Sequence, residues 1–96
     1  MPLDQWQAGI QHSEAVVTAV AIRYGFRKRD YSLTWDEGRF DASRDMHELK
    51  VRSADGRSFK AHILGLAIAQ QNAWHYLREI DEGFHSLARR ARSRGL

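Results

Sequence analysis

The stretch HELKVRSADGRSFKAHI, residues 47–63, decides the fold because it contains two strands and the turn that joins them. In its first half, Leu49 and Val51 alternate with charged residues, and in its second half apolar residues again occupy every second position. Strict alternation is typical of a strand with one buried face and one solvated face. The sequence therefore predicts an antiparallel hairpin with one apolar side.

The turn at residues 54–56 (Ala-Asp-Gly) sets the register of this hairpin. A two-residue Asp-Gly turn would place Val51 opposite Lys60 and mix the two faces. A three-residue loop with its glycine in the left-handed conformation places Val51 opposite Phe59, so the apolar side chains stay together. We therefore predict the three-residue loop, which also sets Lys50 directly opposite Lys60 on the outer face.

A further strand precedes the hairpin. Residues 31–35 alternate in the same way, and a turn follows over residues 36–39. A tight loop there would place Trp35 opposite Phe40 and continue the pairing to Ala42. The sheet is therefore expected to have three or four strands.

Segments with the apolar spacing of a helix precede and follow the predicted strands in the sequence. Residues 3–24 carry an apolar stripe at intervals of three and four, interrupted by Ser13, and Gly25 follows where a C-terminal cap is expected. Residues 65–93 carry a second stripe, which predicts one long C-terminal helix. Within it, Gly83 is expected to be a weak point that costs about 1 kcal/mol relative to alanine.

Together these elements predict an α+β domain: an N-terminal helix, a three- or four-stranded antiparallel sheet and a long C-terminal helix. Both helices are expected to lie on one face of the sheet and to leave the other face open to water. A single domain is expected over residues 1–96, with residues 89–96 as a basic, frayed C-terminal tail.

This order of elements resembles that of the double-stranded-RNA-binding domain. The resemblance is one of topology and covers residues 3–88. That family grips phosphates with a lysine cluster at the start of its last helix. Here the corresponding residues 64–68 read Leu-Gly-Leu-Ala-Ile. The resemblance therefore implies a fold, and it does not extend to the residues with which the family binds duplex RNA.

The composition excludes several classes of function. The chain has no cysteine, which excludes disulfides, thiolate zinc sites and cysteine nucleophiles. It has no phosphate-binding loop, no dinucleotide fingerprint and no Gly-x-Ser-x-Gly motif. His12, Ser13 and Glu14 are consecutive on a helix and point in different directions, so they cannot form a proton relay. We expect no enzyme, no cofactor and no metal site. We also expect no membrane partner and a cytoplasmic location.

Positive charge is concentrated in short segments of this chain. The 96 residues include 15 Lys and Arg against 12 Asp and Glu, a net charge of +3. Opposed lysines repel each other, so the Lys50–Lys60 pair is a candidate anion site. The predicted phosphate contacts are Arg27, Lys28, Arg29, Lys50, Arg52, Lys60, Arg89, Arg90, Arg92 and Arg94. This pattern favours a small nucleic-acid-associated regulatory or accessory factor.

An alternative function remains open at this level. Trp74 lies off the centre of the last helical stripe, and a tryptophan at the rim of a core often anchors a partner. The chain would then be a protein-interaction module, such as an inhibitor, adaptor or accessory subunit. The small size and the two near-heptad stripes also predict a homodimer.

Overall fold

A computed structural model of the chain describes residues 3–38 and 45–94. Its main elements are α1 (Leu3–Arg23), β1 (Tyr31–Trp35), β2 (Met46–Ser53), β3 (Ser58–Leu64), α2 (Gly65–Ala69) and α3 (Leu77–Arg94). Short 3-10 turns span Lys28–Asp30, Asp36–Gly38 and Ala73–His75. The predicted α+β class and the order of helix, antiparallel sheet and helix are confirmed.

The strands lie in the order β1-β2-β3, and both neighbouring pairs are antiparallel. The predicted register of the hairpin is confirmed: Val51 lies opposite Phe59, and the amide of Ser53 donates to the carbonyl of Arg57 at 2.7 Å. Gly56 in the loop has a φ of +92°, the left-handed conformation that this turn requires.

The strand β1 pairs with β2 along its whole length, and Leu33 lies opposite Val51. Among the described residues, the sheet has three strands. The strand predicted around Phe40 and Ala42 lies outside the described residues.

The core forms where α1 and α3 cover the inner face of the sheet. Val17 of α1, Leu49 of β2 and Phe84 of α3 are fully buried in one cluster. Gly25 ends α1 as predicted, with a φ of +83°, and the amide of Phe26 donates to the carbonyl of Ala21 at 2.9 Å. This arrangement is a Schellman motif, which satisfies the last carbonyls of the helix.

The prediction of one helix over residues 65–93 is wrong, because α2 and α3 are separated by residues 70–76. The helix α2 stops at Ala69, and Gln71 adopts a φ of +54°. The amides of Gln71 and Asn72 donate to the carbonyls of Ile68 and Ala67, which closes α2 like a Schellman motif without a glycine. Neither Gly nor Pro marks the end of α2, and the apolar spacing continues across it. The sequence pattern alone therefore predicts an unbroken helix.

The break in the helix has a packing role. It brings Tyr76 into the core, where its side chain is fully buried and its hydroxyl lies 3.1 Å from the Oγ atom of Ser13. Ser13, the polar residue that interrupts the apolar stripe of α1, is therefore one partner in a buried hydrogen bond.

Gly83, the predicted weak point of the last helix, lies within the continuous helix α3. It is the position at which the ring of Phe59 packs against the backbone of α3. The helix itself continues to Arg94, and the fraying of residues 89–96 stays a prediction. None of the helices in the described part of the chain combines the length and apolar character needed to cross a bilayer.

Candidate nucleic-acid interface

The two opposed lysines on the outer face of the sheet are neutralised by carboxylates. Lys50 lies directly opposite Lys60, as predicted. The Nζ atom of Lys50 is 3.1 Å from Oε1 of Glu37, and the Nζ atom of Lys60 is 3.5 Å from Oε1 of Glu48. Each lysine therefore has an acidic partner of its own, and the pair is not a bare positive site.

The same end of the outer face contains further acid. The ring of His62 lies between two carboxylates, with Nε2 3.7 Å from Glu48 and Nδ1 3.3 Å from Glu79. The carboxylate of Glu79 also accepts the backbone amide of His62 at 3.0 Å. This bond covers part of the open edge of β3, a common protection against edge-to-edge pairing.

The other end of the sheet is positively charged. Arg52 is exposed and lies opposite Ser32 on one side and Ser58 on the other. Within the described residues, no carboxylate forms an ion pair with Arg52. Its guanidinium is therefore available to a ligand.

The basic turn before β1 lies beside this end. Arg27, Lys28 and Arg29 are exposed, and they too have no ion-pair partner in the described part of the chain. Asp30, the acid of this turn, instead accepts the backbone amide of Arg27 at 2.7 Å. The carbonyl of Asp30 accepts the amide of Ala54 at 2.8 Å, which joins the basic turn to the β2–β3 loop.

The third basic segment reaches the same end along α3. This helix runs antiparallel to β3: its Glu79 bonds to the amide of His62, and its Gly83 packs against Phe59. Five residues after Gly83, Ala88 lines a groove of about 370 Å³ together with residues of the β2–β3 loop. The last residues of α3 therefore lie beyond that loop. They include four predicted contacts: Arg89, Arg90, Arg92 and Arg94.

The fold thus brings residues 23–30 and 52–57 together, and α3 continues past them from Ala88 into residues 89–94; we call these three segments the basic end. These segments contain ten of the 15 basic residues and two of the 12 acidic residues, a formal charge of +8. The whole chain has a net charge of only +3, so the rest of the molecule is acidic. The protein is therefore strongly polarised, which its net charge does not indicate.

Both acids of the basic end are engaged in local bonds. Asp30 holds the amide of Arg27. Asp55 accepts bonds from the side chain and the amide of Arg57 and from the hydroxyl of Ser53, and these bonds hold the pKa of Asp55 well below its usual range. The two carboxylates therefore shape the loops more than they neutralise the exposed arginines.

One further carboxylate borders the basic end. Asp81 accepts the hydroxyl of Tyr24 at 2.9 Å, and this bond raises the pKa of the tyrosine. The guanidinium of Arg23 lies 3.9 Å from Asp81, at the limit of an ion pair, and is 70% exposed. Arg23 is therefore weakly neutralised, whereas Arg27, Lys28 and Arg29 are not paired at all among the described residues.

Trp74, the predicted partner-binding residue, lies at the opposite end of the molecule. It belongs to the 3-10 turn just before α3, and 86% of its surface is exposed. The structure therefore does not bring Trp74 and the basic residues together. Sequence reasoning identified Trp74 but missed the segment around it. Residues 61–77 contain no Asp, Glu, Lys or Arg, which is visible in the sequence itself.

A buried histidine was also missed. The side chain of His47 lies on the inner face of β2, with Nδ1 2.8 Å from the carboxylate of Asp36 and its ring 4.8 Å from that of Trp6. Asp36 also accepts the amide of Glu48 at 2.9 Å. The alternation that turns Leu49 inward could have identified His47, since the two residues are separated by two positions. The contacts indicate a structural role at the start of β2.

No family model matches this chain, and no curated protein or solved structure matches it either. The likeness to the double-stranded-RNA-binding domain is a likeness of element order. The functional argument therefore depends on the geometry of the two ends of the molecule.

Proposed function

We propose that this protein binds nucleic acid by contacting phosphates with its basic end. The observation that carries the proposal is that residues 23–30 and 52–57 lie together and that α3 continues past them from Ala88. Together with residues 89–94, these segments hold ten basic and two acidic residues. Such a concentration of one charge sign attracts polyanions and speeds their association.

The side chains at the basic end suit phosphate groups. Arginine presents a planar fork of donors that matches phosphate oxygens, and it keeps its charge at any physiological pH. Arg27, Arg29 and Arg52 are exposed and have no ion-pair partner in the described residues. They therefore bind an incoming phosphate without first breaking a salt bridge.

The ion pairs of Lys50 and Lys60 make these two lysines weaker candidates for phosphate contact. Lys50 and Lys60 were the sharpest candidates on sequence grounds, but Glu37 and Glu48 already pair with them. An incoming phosphate would have to compete with these carboxylates. We therefore assign the main contact to the basic end and a minor one to the lysines.

The mode of binding follows from the side chains of the outer face. The residues of β1 and β2 that turn outward near Arg52 are small and polar, such as Ser32 and Thr34. No aromatic platform for stacked bases lies among them, so the proposal is contact with the phosphate backbone and not reading of bases. The proposal includes regulation by binding alone, without catalysis or a cofactor, and a cytoplasmic location.

The experiment compares two double variants that remove the same amount of charge. Arg27→Gln/Arg52→Gln removes two free arginines of the basic end, and Lys50→Gln/Lys60→Gln removes two paired lysines. Binding of a short labelled DNA duplex is measured by fluorescence anisotropy over a series of salt concentrations. The arginine variant should bind more weakly, and its log–log salt slope should become shallower by about 0.9 for each phosphate that it no longer neutralises.

The lysine variant should keep an affinity and a salt slope close to those of the wild type. Equal decreases in affinity for the two variants would mean that net charge alone drives binding, and that the basic end is not a site. Absence of wild-type binding at low salt, both to the duplex and to a labelled single strand, would reject the proposed function.

A further inference from the structure

One row of side chains crosses all three strands on the outer face of the sheet. Arg52 of β2 lies opposite Ser32 of β1 on one side and opposite Ser58 of β3 on the other. All three residues are exposed, and none of their side chains forms a hydrogen bond or an ion pair with the described residues. We call these three residues the outer row. It presents one guanidinium and two hydroxyl groups to a ligand.

The groups of the outer row suit the phosphates of a nucleic-acid backbone. A guanidinium is a planar fork of N–H donors that matches phosphate oxygens, and each serine hydroxyl donates one further hydrogen bond. Neighbouring strands are about 4.8 Å apart, so the two serines are about 10 Å from each other with Arg52 between them. A single phosphate does not reach both hydroxyls across the arginine. The outer row therefore fits successive phosphates of one strand better than an isolated phosphate ion.

The outer face becomes acidic along β2 as the distance from the outer row increases. Two positions before Arg52, Lys50 is already paired with Glu37 at 3.1 Å. Two positions further back, Glu48 places a carboxylate on the same face, 3.5 Å from the Nζ atom of Lys60. A phosphate backbone that followed β2 would therefore meet neutralised lysines and then negative charge.

The direction across the strands avoids these carboxylates. On either side of Arg52 the outer row contains only a hydroxyl group, and β1 is preceded by the basic turn, in which Arg27, Lys28 and Arg29 are exposed. The acid of this turn, Asp30, accepts the backbone amide of Arg27. A phosphate backbone that crosses the strands therefore stays among donors and positive charge.

We propose that the backbone of the bound nucleic acid crosses the sheet at right angles to the strands, along Ser32, Arg52 and Ser58. The guanidinium of Arg52 binds phosphate oxygens, and each serine donates its hydroxyl to a phosphate on its own side of the arginine. This path rests on the proposed function and extends it, because it gives the direction of the ligand and two uncharged contact residues.

The experiment removes hydroxyl groups and leaves every charge in place. Binding of a labelled DNA duplex, and of a labelled single strand in parallel, is measured by fluorescence anisotropy over a series of salt concentrations. Ser32→Ala and Ser58→Ala should each weaken binding by about two- to tenfold, the range that corresponds to one hydrogen bond. The log–log salt slope should stay that of wild type, because neither variant removes a positive charge.

Two kinds of control variant locate the effect. Thr34→Val removes a hydroxyl from the same exposed face of β1, at the position opposite Lys50, and should leave the affinity unchanged. Ser32→Thr and Ser58→Thr keep the hydroxyl and should bind like wild type, which separates the loss of a donor from a change of structure. All five variants should retain the circular dichroism spectrum of wild type.

The outcomes separate this path from the proposed function. Wild-type affinity in both alanine variants would overturn the path and leave the binding by the basic end intact. A Thr34→Val variant that loses as much affinity as Ser32→Ala would also overturn it, because the backbone would then extend along the strands. A wild-type protein that binds neither the duplex nor the single strand would reject the proposed function and the path with it.

Discussion

Gly83 of α3 lies against the ring of Phe59 of β3, so close that a Cβ built on the glycine would stand 2.2 Å from the ring. The same ring makes an edge contact with Phe84, with centroids 5.1 Å apart. The missing side chain therefore allows α3 to approach the sheet. It also sets the path of this helix along β3 and past the β2–β3 loop at Ala88.

Gly83→Ala should destabilise the protein by about 1–3 kcal/mol, because the added methyl overpacks the contact with Phe59. Helix propensity alone predicts the opposite sign, a gain of about 1 kcal/mol. The free energy of unfolding is measured by urea denaturation. Glu82→Ala, at an exposed site on the same helix, is the control and should change stability little. A stabilised Gly83→Ala variant would show that the ring of Phe59 moves aside freely.

The buried hydrogen bond between Ser13 and Tyr76 gives a second prediction. Ser13→Ala leaves the tyrosine hydroxyl buried without its partner, and Tyr76→Phe does the same to the serine; each should cost about 1–3 kcal/mol. The double variant should cost clearly less than the two single variants combined, because neither polar group then remains unsatisfied. Urea denaturation of the four proteins measures this cycle. Strictly additive effects would contradict the bond.

The β2–β3 loop should make stability depend on pH in the acid range. Bonds from Arg57 and Ser53 lower the pKa of Asp55 in the folded state below its unfolded value of about 3.9. A lowered folded pKa stabilises the protein above the unfolded pKa, and this contribution is lost as the pH falls through that value toward the folded pKa. Thermal unfolding of wild type and Asp55→Asn is compared between about pH 5 and pH 2.

The Asp55→Asn variant should be less stable than wild type at the upper end of this range, and the difference should shrink toward the lower end. Arg57→Gln removes the first partner of the carboxylate and should reduce the same pH dependence. An unchanged acid profile in both variants would show that the loop carboxylate contributes nothing to stability.

The hairpin could be predicted in detail because its determinants are local. Alternation of Leu49 and Val51 with charged residues sets the faces, and the three-residue loop before Arg57 sets the register. The end of α2 could not be predicted, because Gln71 takes a positive φ that normally calls for glycine. After this break, Tyr76 is buried and its hydroxyl lies against Ser13 of α1, a contact between residues more than sixty positions apart that no local pattern predicts.

The candidate site, like the fold, could be predicted only in part from the sequence. The sequence alone determined which segments are basic, where the strands alternate and that Lys50 lies opposite Lys60. Only the tertiary structure decided that Glu37 and Glu48 neutralise those lysines and that Arg52 stays free among the described residues. It also decided that α3 runs past the β2–β3 loop at Ala88 and leaves Trp74 at the far end. The physical reason is that strand period and turn geometry act between near neighbours, whereas the path of α3 depends on packing against Phe59, a contact between distant parts of the chain.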